Sequence, residues 1–126
     1  MRPREGMLRL KRFQVEEKRR QMAQIQAMIA EFDRMAKELN DQVVAEQERT
    51  GIRDAGHFAY PTFAKAATQR RDNLAASEKS LEDQLAVAKA AYDEAVSELT
   101  KAEAIAERDQ AADKHVPMHK PEARAS

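Results

Sequence analysis

The sequence predicts an all-α fold, a long two-helix antiparallel coiled-coil hairpin with a disordered C-terminal tail. Of the 126 residues, 35% are charged and 5% aromatic, a composition typical of long helices. Apolar residues recur at heptad spacing on both sides of one break, which holds the only glycines and the only proline between residues 7 and 116. We expect one domain over residues 1–113, with a helix at about 7–49, a turn at about 50–61, a second helix at about 61–113 and a tail at 114–126.

Apolar side chains follow a seven-residue repeat through the first helix. Nine of its twelve a and d positions are apolar: Leu8, Lys11, Val15, Lys18, Met22, Ile25, Ile29, Phe32, Ala36, Leu39, Val43 and Glu46. In the second helix eleven of fourteen are apolar: Ala64, Ala67, Arg71, Leu74, Glu78, Leu81, Leu85, Ala88, Tyr92, Ala95, Leu99, Ala102, Ala106 and Asp109. The many alanines of the second helix favour a close approach of the two backbones.

The register of the two helices follows from matching large with small residues and charge with charge. This rule predicts Phe32 opposite Leu85, and Glu46 opposite Arg71. A shift of one heptad would instead place Leu39 opposite Arg71, which buries charge against apolar surface at a cost of roughly several kcal/mol. We expect the first register.

The break between the helices combines turn signals with an excess of aromatic residues. Gly51 suits a left-handed helix end and Pro61 the first turn of a new helix. Three of the six aromatic residues lie in this short stretch: Phe58, Tyr60 and Phe63. The first two, with His57, are candidates either for a cap that closes the coiled coil or for a partner-binding surface, and the second interpretation is favoured because a hairpin tip has little interior. Phe63, one turn into the second helix, is expected in the core.

Charge is distributed unequally although the formal net charge is zero. Residues 1–20 carry eight basic and three acidic groups, whereas residues 78–113 carry ten acidic and four basic groups. An antiparallel hairpin would bring the basic start beside the acidic end. The basic residues are a second candidate partner-binding surface, formed by Arg9, Lys11, Arg12, Arg19 and Arg20.

The sequence contains no phosphate-loop, dinucleotide, zinc-protease or acyl-transfer motif, so we expect a protein that is not an enzyme and needs no cofactor. His115 and His119 have ligand spacing, but Pro117 between them disfavours a helix, and no metal site is expected. No run approaches the roughly 18 apolar residues of a membrane span, the basic start lacks the apolar run that follows it in a signal peptide, and the sequence contains no cysteine. These features favour a cytoplasmic protein without membrane insertion.

The chain resembles the FliJ family of soluble components of the flagellar type III protein export apparatus. The resemblance lies in the opening segment Leu8–Arg20, the hinge His57–Phe63 and the following Gln69–Leu74. It implies a cytoplasmic stalk, associated with the inner face of the membrane at the flagellar base and needed for flagellum assembly and motility. The implied partners are the hexameric export ATPase with its regulator, the membrane export gate protein and export chaperones.

Two other functions compete with the one that the resemblance implies. One is an RNA-binding coiled-coil arm, which the strongly acidic second helix disfavours, as does the lack of aromatic residues interleaved with the basic run. The other is a generic cytoplasmic coiled-coil adaptor. We therefore expect an adaptor that binds proteins and no nucleic acid.

Overall fold

A computed structural model describes residues 3–115 of the chain. It contains two α-helices, α1 over Pro3–Thr50 and α2 over Thr62–His115, joined by a loop over residues 51–61. The described part is 90% helical and contains no strand, and it is an all-α helical hairpin as predicted. The tail predicted from residue 114 lies largely outside the described residues, since only 114 and 115 are seen, as the last residues of α2.

Helix α1 begins four residues before its predicted start. Pro3 is its first residue, where the fixed φ of proline suits the first turn and the missing N–H is not needed. Glu5 adds an acidic group to that turn, where a negative charge interacts favourably with the positive end of the helix dipole. The basic segment, defined as residues 9–20, therefore lies within α1.

The heptad positions of both helices are confirmed by burial. All twelve predicted a and d residues of α1 are buried or half-buried, and so are thirteen of the fourteen in α2, the exception being Asp109. No polar side chain is fully buried in the described part. The chain divides into two units, a terminal unit with its described residues at 3–20 and 89–115, and a hinge unit over Gln21–Ala88.

The core of the hinge unit lies close to the loop. Leu39, Val43 and Ala67 form a buried cluster against which Leu74 packs. Ala64 is fully buried, with 0% of its surface exposed. Small residues of α2 thus face larger residues of α1, which is the close packing that the alanine-rich seam predicts.

The predicted register is wrong in the hinge unit by about one heptad. Phe32 lines a groove of about 250 Å³ together with Leu74, not with Leu85. Arg71 donates a 2.7 Å hydrogen bond to Asn40, whereas Glu46 pairs with Arg49 of its own helix.

The prediction failed because it treated an arginine at a seam position as a buried charge. Arg71 is only half-buried, and its guanidinium reaches outward to Asn40 of α1 and Asp72 of its own helix. The aliphatic stem can cover apolar surface while the charged end stays in contact with water and polar partners. Leu39, which the rejected register places opposite this arginine, is 7% exposed.

Three ion pairs join the two helices in the terminal unit. Arg4 lies 3.2 Å from Asp113, Lys11 lies 2.9 Å from Glu98, and Arg12 lies 3.8 Å from Glu103. These contacts confirm the expected antiparallel pairing of the basic start with the acidic end. The buried Ala106 lies between these pairs on α2.

Candidate functional site

The hinge loop begins with the predicted glycine at the end of α1. Gly51 has a φ of 74°, and its N–H donates a 2.8 Å hydrogen bond to the carbonyl of Gln47. Glycine takes this left-handed conformation without the steric cost that other residues meet. The hydroxyl of Thr50 then accepts a 3.3 Å bond from the N–H of Ile52, which fixes the exit of the chain from the helix.

Two consecutive tight turns follow. In the first, the N–H of His57 donates to the carbonyl of Asp54 at 3.0 Å, and the Asp54 carboxylate accepts a 2.9 Å bond from the N–H of Gly56. In the second, the N–H of Tyr60 donates to the carbonyl of His57 at 3.0 Å. Asp favours such turns because its side chain can accept a backbone N–H two residues on, and Gly favours them because it has few steric restrictions. The loop is thus tied by its own backbone and side-chain hydrogen bonds.

The imidazole of His57 takes part in the second turn. Its Nδ1 accepts a 2.9 Å hydrogen bond from the N–H of Ala59. The ring also stacks on Phe58, with 4.7 Å between ring centroids and 22° between planes. A neutral ring that accepts at Nδ1 carries its proton at Nε2, which leaves a donor beside the phenyl group.

The hinge aromatics have three different environments. Phe58 is 96% exposed, whereas Tyr60 is half-buried and its hydroxyl accepts a 3.1 Å bond from the side chain of Gln47. The prediction that Phe63 belongs to the core is wrong, since this residue is 55% exposed. The reason is angular: Ala64 and Ala67 occupy the seam, and the residue before Ala64 points about 100° away on a helix of 3.6 residues per turn.

Helix α2 begins at the end of this loop as the sequence predicts. The carbonyl of Pro61 accepts a 3.1 Å bond from the N–H of Lys65, so helical bonding starts from the proline. Each of the three hinge candidates therefore lies in a loop between two defined helix ends. His57 and Phe58 lie together on the exposed side, and Tyr60 does not join them.

The basic segment is largely engaged in ion pairs. Lys11 and Arg12 pair with α2, whereas Arg19 and Arg20 pair with Glu16 and Glu17 of α1 itself. Arg9 is exposed and lies outside the ion pairs found among residues 3–115. Of the five predicted contact residues, Arg9 thus offers the least compensated charge.

Ion pairing changes the protonation equilibria of the acidic partners. The hydrogen bond from Arg19 lowers the pKa of Glu16 below its ordinary 4.5, and the same bond raises the pKa of the arginine. A hydrogen bond from Lys11 likewise lowers the pKa of Glu98. These carboxylates stay ionised at neutral pH and hold the basic side chains in place.

Sequence reasoning missed an apolar stripe on the outer face of α1 in the terminal unit. Met7, Leu10 and Phe13 are 49%, 48% and 60% exposed. They follow one another at a spacing of three, which places them on one helix face. The sequence contained a sign of this stripe, because none of the three apolar residues occupies an a or d position of the heptad repeat and all three are therefore expected outside the seam.

Within residues 3–115 no group of three or more His, Asp or Glu side chains could hold a metal ion. In the same part of the chain, no helix is long and apolar enough to cross a bilayer. The described residues do present two exposed features: a hydrogen-bonded loop with the stacked pair His57 and Phe58, and a helix start with basic and apolar side chains.

Comparison with known proteins adds no relative, because no family model, curated protein or solved structure matches the chain.

Proposed function

We propose that this chain is a non-enzymatic coiled-coil stalk and adaptor of the flagellar type III protein export apparatus. It would assist the hexameric export ATPase and couple it to the membrane export gate protein, and so be needed for flagellum assembly and motility. Its place would be the cytoplasm, at the inner face of the membrane beneath the flagellum. The proposal starts from the resemblance of the opening segment and the hinge to the FliJ family.

The observation that carries the proposal is the ion pairing of the two helix ends in the terminal unit. Arg4 contacts Asp113, and Lys11 contacts Glu98, so the start of α1 and the end of α2 lie side by side. A stalk that enters a hexameric ring with both of its ends needs this arrangement. A ring-shaped partner would meet the two ends as one surface.

The surface of the paired ends combines charge with apolar side chains. Arg9 is exposed between Leu8 and Leu10, and Phe13 follows one turn later. Apolar side chains supply binding energy when they are desolvated, while exposed charges mainly accelerate and orient association. This mixture supports a protein partner.

An RNA-binding arm is less well supported. Four of the five basic residues proposed for a contact are held by carboxylates of the same chain. Binding to a phosphate backbone would require these ion pairs to break, since it draws its affinity from free cationic groups.

The test is direct binding to the purified export ATPase, measured together with the assembly and turnover of its hexamer. We expect the chain to bind, to promote hexamer formation and to raise ATP hydrolysis. Replacement of Leu10 and Phe13 by Ser should weaken binding and impair swimming in a strain whose own gene is deleted. Val87→Ser, which changes a 71% exposed apolar residue in the hinge unit, is the matched control. Absence of ATPase binding together with normal swimming of the deletion strain would overturn the proposal.

A further inference from the structure

A histidine side chain closes the second turn of the hinge loop. Nδ1 of His57 accepts a 2.9 Å hydrogen bond from the N–H of Ala59, and the carbonyl of the same histidine accepts a 3.0 Å bond from the N–H of Tyr60. Phe58 lies between the bonded residues, so both bonds enclose its backbone. In most turns the side chain that accepts the N–H two residues on belongs to Asn or Asp. Here the acceptor belongs to a residue type that gains and loses a proton near neutral pH.

The hydrogen bond to Ala59 requires a neutral imidazole. A neutral ring has one acceptor nitrogen, whereas both nitrogens of the imidazolium ion are donors. Rotation of the ring by half a turn about its Cβ–Cγ bond does not restore the bond, because it brings the Cδ2–H group to the position of Nδ1. Protonation of His57 therefore leaves the N–H of Ala59 without its acceptor in either orientation of the ring.

The first turn of the same loop has no such dependence. Its side-chain acceptor is the carboxylate of Asp54, which takes a 2.9 Å bond from the N–H of Gly56. Aspartate side chains remain ionised through the pH range in which histidine titrates. The N–H groups of His57 and Tyr60 bond to backbone carbonyls, which do not titrate. Protonation of the imidazole thus removes one bond of the loop and leaves the others in place.

The charged groups of the loop and of the adjoining helix ends leave the imidazole without an ionic partner. Glu46 pairs with Arg49 inside α1, and Asp54 is engaged with Gly56. None of the ion pairs found among residues 3–115 includes His57, which is itself exposed. The pH of the surrounding solution therefore acts directly on this ring. The groups considered are Glu46, Glu48, Arg49, Arg53, Asp54 and Lys65.

We propose that the hinge loop is a protonation-sensitive element, in which neutral His57 fixes the backbone of Phe58 and the imidazolium ion releases it. The phenyl group of Phe58 is 96% exposed, so the loop presents it to solvent in one conformation only while the turn is closed. Order before binding lowers the conformational cost of association. Any contact made through this ring is therefore favoured at a pH at which His57 is neutral.

The stacking of the two rings does not oppose this change. The ring centroids of His57 and Phe58 lie 4.7 Å apart with 22° between the planes. A cation over the face of a phenyl ring is attracted to it, so the imidazolium ion can keep this contact. The change is thus confined to the backbone of Phe58 and Ala59. The inference does not depend on the proposed function.

The test is a pH titration of the full chain by proton–nitrogen NMR between about pH 5 and 8. We expect the amide proton of Ala59 to move upfield as its hydrogen bond is lost, with the same midpoint as the Cε1 proton of the His57 ring. The heteronuclear NOE of the Phe58 and Ala59 amides should fall over the same range, because their backbone moves faster once released. The amide of Gly56, bonded to Asp54, is the internal control and should not follow this midpoint.

Three variants separate the side-chain acceptor from other effects of pH. Asn can accept the same N–H through Oδ1 and does not titrate, so in His57→Asn the Ala59 amide should stay ordered and unshifted over the whole range. His57→Ala has no acceptor and should show the released Ala59 amide at every pH. His115→Ala removes a histidine at the end of α2 and should leave the titration of Ala59 as in the unchanged chain.

An Ala59 amide that stays unchanged while the His57 ring titrates would overturn the proposal. A pH-dependent shift of this amide that persists in His57→Ala would do the same, because another group would then be its cause. Ring nitrogen resonances that place the proton of the neutral ring on Nδ1 would also refute it, since that tautomer cannot accept from Ala59. None of these results bears on ATPase binding, so the adaptor function and this inference stand or fall separately.

Discussion

Gln47 donates a 3.1 Å hydrogen bond from its side-chain amide to the hydroxyl of Tyr60, and both residues are half-buried. The bond joins the last turn of α1 to the residue before Pro61, so it closes the hinge loop from within. Phe58, two residues earlier, makes no comparable contact with a helix and is almost wholly exposed. The two aromatic residues therefore serve different purposes, and they should be changed separately.

Tyr60→Phe should lower the free energy of unfolding by about 0.5–1.5 kcal/mol, since it removes one side-chain hydrogen bond and leaves the ring in place. Tyr60→Ser should cost more because the packing of the ring is lost as well. The measurement is a chemical denaturation curve for each variant, with Phe58→Ser as the control that should unfold like the unchanged chain. Equal stability of Tyr60→Phe and the unchanged chain would show that this bond does not hold the loop.

Gly51→Ala should destabilise the hairpin by about 1 kcal/mol. The cost is conformational, because the φ of 74° is unfavourable for alanine whereas an added Cβ at this position would meet nothing within 4 Å. Gly56→Ala is the matched control and should cost less. A Cβ added at Gly56 would meet the Asp54 carboxylate oxygen at an ordinary contact distance of 3.4 Å. Denaturation midpoints of the two variants give the comparison, and a larger loss at Gly56 than at Gly51 would contradict the argument.

Ala64→Leu should destabilise the protein by about 1–3 kcal/mol through overpacking, because this alanine is 0% exposed and has no free space around its side chain. Ala66→Leu adds the same atoms on an exposed face of the same helix turn and should be nearly neutral. Thermal melting followed by circular dichroism distinguishes them. Two identical melting curves would mean that the seam at Ala64 can widen freely.

The ion pair of Lys11 with Glu98 should stabilise the terminal unit at neutral pH, and this stabilisation should be lost in acid. The pKa of Glu98 is lowered below 4.5, chiefly by the hydrogen bond from Lys11, so the folded state binds this proton less readily than the unfolded state does. The contribution is present above the ordinary pKa and is lost as the pH falls through the lowered value. Glu98→Gln should therefore show a smaller fall in melting temperature between neutral pH and pH values below 4.5.

Glu94→Gln is the control for this pH dependence, since Glu94 is exposed on the same helix and lies outside the ion pairs found among residues 3–115. Several other carboxylates contribute to the total acid sensitivity, and Glu16 is one of them. The comparison of the two Gln variants isolates one pair from this background. Parallel pH profiles for both variants would refute a specific role of the Lys11 pair.

The sequence predicted which faces of the helices are buried much better than it predicted how they pair. Heptad positions follow from the helix period alone, so Leu39 and Val43 were assigned correctly to the core. The register depends on small free-energy differences between alternatives one heptad apart. The side chain of Arg71 keeps its charge outside the seam, which makes the register rejected from the sequence the favourable one. The prediction that Phe63 belongs to the core was wrong because this residue lies one position away from the seam, where most of its side chain meets solvent.

The hinge shows the same division between local and nonlocal information. Gly51 and the turns around Asp54 follow from residue types that favour particular backbone conformations, and these were predictable. That Tyr60 would turn inward to Gln47 while Phe58 faces solvent depends on the path of the whole loop. The residue types alone do not show which of two nearby aromatic side chains will be buried, whereas the hydrogen bonds of the folded loop do.

If the chain binds the export ATPase as proposed, Arg9 should make the main electrostatic contribution of the basic segment, because Lys11, Arg12, Arg19 and Arg20 are occupied by carboxylates of the same chain. An exposed ion pair contributes about 0–1 kcal/mol, so Arg9→Glu should weaken binding by about fivefold at low ionic strength. Salt screens exposed charges over about 8–10 Å, and the loss should shrink as the salt concentration rises. Lys79→Glu, an exposed reversal in the hinge unit, is the control and should leave ATPase binding unchanged at every salt concentration. An equal loss for Arg9→Glu at low and high salt, with the helix content intact, would mean that the contact is made by packing against Leu10 and Phe13 and not by charge.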